Sequence, residues 1–392
     1  MLQAIILAAE IVLAAMVGYL LLLTAAALFA PRRTPPRAGP PTSRFAIIVP
    51  AHNEARLLPQ LLESLRALDY PRELFAVHVV ADNCSDDTAE LGRAGGAVVH
   101  ERVDTQHIGK GYALQWLLER LWAQGLAYDG ALFLDADSLV SPNLLRVMDA
   151  RLARGERAIQ AYYAVRDPGR AWSISLRSVA LMLLHYLRPQ GRMVLGGSAG
   201  LKGNGMVFVD DVLRRYRWPA ALTEDLEYHM LLILGGERVT FAPDAVVWAE
   251  MPGSLAAAQS QNARWERGRL EAVRAHVPRL LAAAARRRSF LLFDAAMEQI
   301  IPPFAILAAA SLACLAAAAA LGSPVGVGLG LAILAGQAAY TLAGLALARA
   351  PRRVYAALLY APAFILWKVA LYARLLLGIK PKSWVRTARN DV

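Results

Sequence analysis

Cysteine is scarce. Of 392 residues only two are cysteine, Cys84 in a polar region and Cys314 in an apolar one. That excludes a disulfide framework. The seven histidines show no spacing of the kind zinc sites use. No G-x-x-x-x-G-K-[ST] run surrounds Lys110, so it is not a P-loop lysine. The glycine-rich stretch 196–205 (GGSAGLKGNG) lacks the G-x-G-x-x-G order and the flanking strand of a dinucleotide loop. No positive charge precedes the first apolar stretch, which is also longer than a signal core; both argue against a cleaved leader.

What is present points two ways at once. The chain is 57% hydrophobic, with a mean hydropathy of +0.37, too apolar for an ordinary soluble domain. Its 19% of charged residues is too many for a pure membrane bundle. A soluble domain joined to membrane segments fits both. The net charge of +11 would suit nucleic acid or an anionic leaflet. Its distribution favours the leaflet, because basic residues flank apolar stretches: Arg32 and Arg33, residues 286–288, Arg352 and Arg353, then Lys380, Lys382, Arg386 and Arg389. No nucleic-acid partner is expected.

Residues 1–30 form an apolar segment, with Gln3 and Glu10 its strongly polar members, long enough to cross a bilayer. Arg32, Arg33 and Arg37 follow. By the positive-inside rule the N-terminus is external and what comes next is cytoplasmic. Residues 31–42 are basic and proline-rich and read as a linker. Over 43–250 strands alternate with helices. Strands are expected at 45–49, 74–81, 97–100 and 131–134. Helices are expected at 54–68 (Leu57, Leu58, Leu61, Leu62, Leu65 and Leu68 inward), from 86 with Ser85 as N-cap, at 109–124, and from Ser141 with Pro142 at its first position. This alternation predicts an α/β domain on a largely parallel sheet.

Farther on, 158–165 reads as a strand, 172–187 as an apolar helix, 226–234 as a helix and 238–250 as one or two strands. Residues 251–301 read as basic interfacial helices; their last part holds Asp294 and Glu298, is ill suited to span, and is broken by Pro302-Pro303. Residues 302–349 form a hairpin of two spans around Gly322-Ser323-Pro324. Residues 350–392 comprise an apolar helix and a tail. That helix holds Lys368 and Arg374 with basic residues on both sides, so an in-plane or re-entrant placement is expected.

The chemistry gathers at strand ends. The run ALFLDAD (131–137) is an apolar strand that stops on Asp135 and Asp137. Asn53 and Glu54 follow the first strand, and Asp82 ends the second. In a parallel sheet these tips share the edge where open α/β sheets bind ligands. Each acid alone is an ordinary helix-start residue, but a shared ligand explains the set. Two acids one residue apart need a counter-charge, and a hard divalent cation carrying a diphosphate supplies it. Gly203-Asn204-Gly205 would let backbone approach a substrate. Glu224 and Asp225 open a helix, where carboxylates are stabilised by the dipole.

The order VPAHNE (49–54), ADNCSDDT (81–88), GKG (109–111), DAD (135–137), GNG (203–205), TED (223–225) and QNARW (261–265) resembles the membrane-embedded family 2 glycosyltransferases, the group of the cellulose, hyaluronan and poly-N-acetylglucosamine synthases. The resemblance implies an α/β GT-A domain with flanking transmembrane and interfacial helices at the inner cell membrane. It implies inverting transfer of a sugar from a UDP-sugar to a lipid or growing glycan on the cytoplasmic face. It assigns Asp137 and Asp135 to Mg²⁺ or Mn²⁺, with Asp135 nearer the nucleotide; Asn53, Glu54 and Asp82 to uracil and ribose; and Lys110 to the nucleotide or its phosphates. Gly203, Asn204 and Gly205 would line the substrate. Asp225, beside Glu224, would be the base, Arg264 would steady the leaving diphosphate, and Gln261 and Trp265 would meet substrate or acceptor. Asn262 stands where the family often has a basic residue. Single addition to a glycolipid and a non-catalytic nucleotide-sugar scaffold are the alternatives, and about three spans make a small path alone, which leaves room for a secretion or assembly partner.

Overall fold

The computed structural model describes residues 1–221 and 223–377; the basic cluster from Lys380 to Arg389 lies outside them. The chain opens with helix α1 (Leu2–Ala27). The domain that follows is built on eight strands: β1 (Phe45–Ala51), β2 (Phe75–Asp82), β3 (Val98–Arg102), β4 (Gly130–Phe133), β5 (Ser138–Val140), β6 (Ala158–Val165), β7 (Met206–Phe208) and β8 (Val239–Ala249). They form one sheet in the order β3-β2-β1-β4-β7-β6-β8-β5. β1 to β4 pair in parallel. β7 runs antiparallel to β4 and β6, and β5 antiparallel to β8, while β6 and β8 are parallel. The sheet is therefore mixed and not largely parallel. β5 and β7 are three-residue strands too short to show in a hydropathy pattern. β1 and β4 are buried on both faces, with Ile47, Ile48 and Leu132 fully inaccessible, which is why they read as unbroken apolar runs.

Helices α2 (Leu58–Arg66), α3 (Thr88–Ala94), α4 (Lys110–Ala123) and α5 (Leu144–Leu152) connect the first strands. α2 buries Leu58, Leu61, Leu62 and Leu65, the single stripe that a 3.6-residue repeat makes. Each such leucine stabilises the fold by about 1.5–3 kcal/mol. α2 starts four residues later than expected, because Asn53 adopts a left-handed φ of 54° and turns the chain away from β1. α3 begins at Thr88, and Ser85 does not cap it; the Ser85 N–H donates instead to Asn53 Oδ1 at 2.7 Å. The helix expected from Ser141 begins at Leu144. Residues 138–140 pair with β8, and Ser141 follows them, its N–H donating to the Val246 carbonyl at 2.9 Å. Sheet pairing overrides the local helix signal there.

Next come α6 (Trp172–Met182), a π-helical turn (Leu183–Leu187), α7 (Arg188–Val194), α8 (Asp210–Arg215) and α9 (Glu224–Leu234). α7 packs on α1 so closely that a Cβ on Gly191 would lie 2.1 Å from the Leu23 carbonyl oxygen. Residues 31–42 are strapped to the domain. Thr34 N–H and Oγ1 donate to Asp244 at 2.8 and 2.9 Å, and Arg37 pairs with Asp149 at 2.9 Å.

The remainder is helical: α10 (Leu255–Arg287), α11 (Phe290–Ile300), α12 (Phe304–Ala320), α13 (Pro324–Leu347), α14 (Arg352–Ala356), a 3₁₀ turn (Ala357–Tyr360) and α15 (Ala361–Leu376). Among the described residues three helices are long and apolar enough to cross a membrane: Leu2–Ala27, Pro324–Leu347 and the run Arg352–Leu376. α12 reaches that length only together with α11, from which it bends by 69° at Pro302-Pro303. α15 is pinned to α10 by Lys368, whose Nζ lies 2.7 Å from Glu266 and 2.9 Å from Asn262.

Candidate active site

The parallel pairing of β1, β2 and β4 brings their carboxyl ends to one edge. Two groups of side chains stand there. The first lies at the tips of β1 and β2. Asp82 ends β2 opposite Arg102 of β3, and Arg102 Nη1 donates to Asp82 Oδ1 at 2.6 Å. Burial pushes the Asp82 carboxyl up against the pull of Arg102. Asn53 reaches across to Ser85, and the Glu54 N–H donates to Thr88 Oγ1 at 2.8 Å. An open cavity of about 440 Å³, lined by Arg102, Asp104, Gln106 and Trp116 among others, adjoins this group.

The second group is organised around the end of β4. Asp135 follows Leu134, and its N–H donates to Asn204 Oδ1 at 3.2 Å. Asn204 is fully buried; it also donates to Ser138 Oγ at 2.8 Å, bracing the turn that carries Asp137. Lys110, the first residue of α4, donates from Nζ to Asp135 Oδ1 at 2.6 Å and to the Gly203 carbonyl at 2.7 Å, with Glu224 Oε1 at 3.5 Å. Burial alone would lower the Lys110 pKa, but Asp135 and Glu224 outweigh it and the net shift is upward. Lys110 is thus a clamp between three elements. Gly203 has a φ of 76°, and a Cβ there would lie 3.1 Å from Asp225 Oδ2. Only glycine suits that backbone without strain, and its bare face leaves room for the carboxylate.

Asp225 and Glu224 form the first turn of α9. Asp225 is half-buried, and its pKa is pushed up to about 7, first by burial and then by Glu224, with Lys110 opposing. A carboxylate in that range exchanges protons near neutral pH, as a general base must. Arg264 on α10 feels the same acids. Burial lowers its pKa while Glu224 and Asp135 pull it back up. Trp265 beside it is 38% exposed. The Gln261 side-chain oxygen is buried with no hydrogen-bond partner among the described residues. Asn262 is turned into the protein, bonded to the Ala258 carbonyl and Lys368.

Lys110, Asp135, Gly203, Glu224 and Asp225 are thus gathered into one site, with Arg264 within electrostatic reach, while Asn53, Glu54 and Asp82 make a neighbouring one. No group of three or more acid, histidine or cysteine side chains among the described residues is arranged to hold a metal by itself. Two oxygen donors plus substrate phosphates and waters are what Mg²⁺ and Mn²⁺ accept, so Asp135 and Asp137 fit such an ion. Residues the sequence reading left unassigned also shape the site. Gln160 of β6 donates to the Asn204 carbonyl at 2.7 Å and accepts from the Lys202 N–H at 2.9 Å.

The family model for "Glycosyltransferase like family 2" matches residues 40–268. Over 141 residues the chain is 33% identical to a 4,4'-diaponeurosporenoate glycosyltransferase of Staphylococcus haemolyticus, which covers 34% of this chain and 36% of that one. Over 232 residues it is 26% identical to a beta-monoglucosyldiacylglycerol synthase of Synechocystis, covering 58% and 48%. The chain therefore spans well under two thirds of either relative. Among solved structures, the mannosyltransferase PcManGT from Pyrobaculum calidifontis, in complex with GDP-Man and Mn²⁺, superposes with a TM-score of 0.55 at 22% identity, over 92% of this chain and 99% of that one. At that identity the likeness concerns the fold.

Proposed function

This chain belongs to the family 2 glycosyltransferases, and from its site we propose that it transfers a sugar from a UDP-sugar to a lipid or growing glycan with inversion, at the cytoplasmic face of the inner membrane. One observation carries the reading: Asp225 lies over the bare face of Gly203, whose carbonyl holds the Lys110–Asp135 pair, with its pKa raised to about 7. In this reading donor and base would face one reacting carbon from opposite sides, as an in-line displacement needs.

In this reading Asp225 takes the proton of the acceptor hydroxyl as it attacks the anomeric carbon. Glu224 keeps Asp225 basic and helps hold Lys110. Arg264, always charged, meets the departing diphosphate. Asp137 and Asp135 would hold Mg²⁺ or Mn²⁺, which would supply Lewis-acid stabilisation of the leaving group when bound. Asp82 and the Asn53–Glu54 turn serve the uridine. Asp82 Oδ1 is taken up by Arg102 and Asn83, leaving Oδ2 for the one ring N–H of uracil. Of the expected sugar-lining loop only Gly203 faces the site; Asn204 and Gly205 are buried. Because Asn204 spends its side chain on the Asp135 N–H and Ser138, these two support the loop and do not touch the sugar, while Gln261 and Trp265 serve the acceptor. α1 crosses the membrane with Arg32 and Arg33 internal, and α12 and α13 form a hairpin of two spans that returns the chain to that side; for α15, the ion pair with α10 favours a placement beside the interfacial helices.

A glycolipid product made by single addition is the second reading. The two relatives above carry lipid acceptors or products in their names, and few spans are available for translocation. The test is product analysis with radiolabelled UDP-glucose, UDP-galactose and UDP-N-acetylglucosamine on native membranes. Label in an organic-extractable product supports single addition, and label in insoluble polymer supports a synthase. Transfer from GDP-mannose and from none of the UDP-sugars would overturn the donor assignment.

A further inference from the structure

The loop that carries Gly203 and Asn204 is also held from the opposite direction. Lys202, its side chain 7% exposed, pairs with Glu298 of α11 at 3.2 Å. Glu298 also pairs with Arg192 of α7. Arg192 Nε donates to Asp294 Oδ1 at 3.0 Å and its Nη2 to the Asp294 backbone carbonyl at 2.9 Å. Asp294 in turn accepts from the hydroxyl of Tyr19, in the middle of α1. Arg192 and Asp294 are 1% and 0% exposed. The contacts run without a gap from the first apolar helix to the loop, and the loop passes them on through the Gly203 carbonyl to Lys110 and through Asn204 to Asp135.

We infer that Lys202 and Glu298 are positioning residues for the transfer reaction: a buried strut, footed on Arg192, Asp294 and Tyr19, that sets the height of residues 202–204 and so the place of Lys110 and Asp135 relative to Asp225. The inference rests on the function proposed above. Three features favour a strut over ordinary packing. It is charge-balanced, cations and carboxylates alternating along it, so it asks for no ligand of its own. Desolvated pairs of this kind tolerate little displacement, because losing one partner strands a buried charge. The loop has no slack to absorb movement, since Gln160 holds both the Lys202 N–H and the Asn204 carbonyl from below. Misplacement of a reacting group by about 1 Å can cost roughly 10²-fold in rate, so a strut can govern turnover without touching substrate.

The test uses full-length protein purified in detergent, with Lys202→Met, Glu298→Gln, their double variant, Lys202→Arg and Asp225→Asn. Initial rates with the UDP-sugar that supports turnover are set beside UDP affinity by calorimetry and thermal melting. Lys202→Met and Glu298→Gln are expected to lower kcat by about 10- to 100-fold, with UDP affinity, which the uridine contacts at Asp82 and the Asn53–Glu54 turn also supply, falling by much less than kcat. The double variant should be no slower than the worse single one, because both remove the same strut. Lys202→Arg should recover most of the rate. Wild-type kcat in a folded Lys202→Met, UDP affinity falling in step with kcat, or losses that multiply in the double variant would each overturn the inference. Should Lys202→Met not fold, Tyr19→Phe decides: removing one hydroxyl at the far end should slow kcat severalfold with UDP affinity unchanged, and no change refutes the strut. Asp225→Asn separates the two readings. If it is fully active, the proposed base is wrong; if it is inactive while Lys202→Met is normal, only the strut fails.

Discussion

The loop 200–205 joins two charge clusters that differ in balance. On the strut side, Arg192 and Lys202 are matched by Asp294 and Glu298, and Arg192 and Asp294 are almost fully enclosed. On the site side, Lys110 and Arg264 serve Asp135, Glu224 and Asp225, with Asp137 two residues from Asp135, and these groups are partly open to solvent. A balanced, closed cluster is complete as it stands. An open cluster with more carboxylates than cations has room for a cationic ligand. The difference separates architecture from chemistry more clearly than the presence of buried charge does.

The largest effect expected from breaking this contrast is at the unbalanced side. Chelation by EDTA should bring turnover to background and Mg²⁺ or Mn²⁺ should restore it; Asp137→Asn should show the same loss without rescue. Full activity of Asp137→Asn would end the metal assignment. Next, Asp225→Asn should reduce turnover by roughly 10²- to 10⁴-fold while UDP binding by calorimetry is kept. The pH profile sharpens this. Asp225 must be unprotonated to act, so the rate should fall about tenfold per pH unit below about 7 and flatten above it. Stability should move the other way. The folded carboxyl holds its proton more tightly than an unfolded one, so folding takes up a proton between the ordinary carboxylate range and about 7, and this contribution grows as pH falls. A rate independent of pH from 5.5 to 8 would remove Asp225 as base.

On the balanced side the currency is stability. Arg192→Met leaves the buried Asp294 without a cation and Glu298 with Lys202 alone, and should cost about 3–5 kcal/mol, read as a lower denaturation midpoint; a change below about 1 kcal/mol would place this cluster with exposed ion pairs. Smallest of all, Arg93→Ala removes an ion pair to Glu101 whose side chains are 52% and 57% exposed. It should shift stability by no more than about 1 kcal/mol, and a larger shift would mean that exposure does not rank these clusters.

Much of the site was legible in the sequence because strand tips and helix starts are local. ALFLDAD ends its strand where expected, and TED opens α9. What was not legible depends on register or on distance along the chain. The Asp82–Arg102 pair follows from the β2–β3 alignment, which no spacing reveals. β5 and β7 are too short to show a period. Arg192 meets Asp294 from 102 residues away. Asp294 and Glu298 were visible as polar misfits four residues apart in an apolar stretch. That spacing puts both on one helix face, but which cation they face requires the fold.

The position of β5 has a consequence for how the protein is made. Residues 138–140 leave the ribosome directly after the Asp135–Asp137 turn, yet their partner strand spans 239–249. At the usual 5–20 residues per second of synthesis, about a hundred residues must follow, so the turn waits roughly 5–20 s with its far side unsupported. The first half of the sheet closes early, and the acid-bearing turn is among the last parts to be braced. A nascent chain stalled before residue 239 would therefore expose the two aspartates on a loose loop, with α1 already available for insertion. Activity in this enzyme arrives late in translation, long after the first apolar helix has been made.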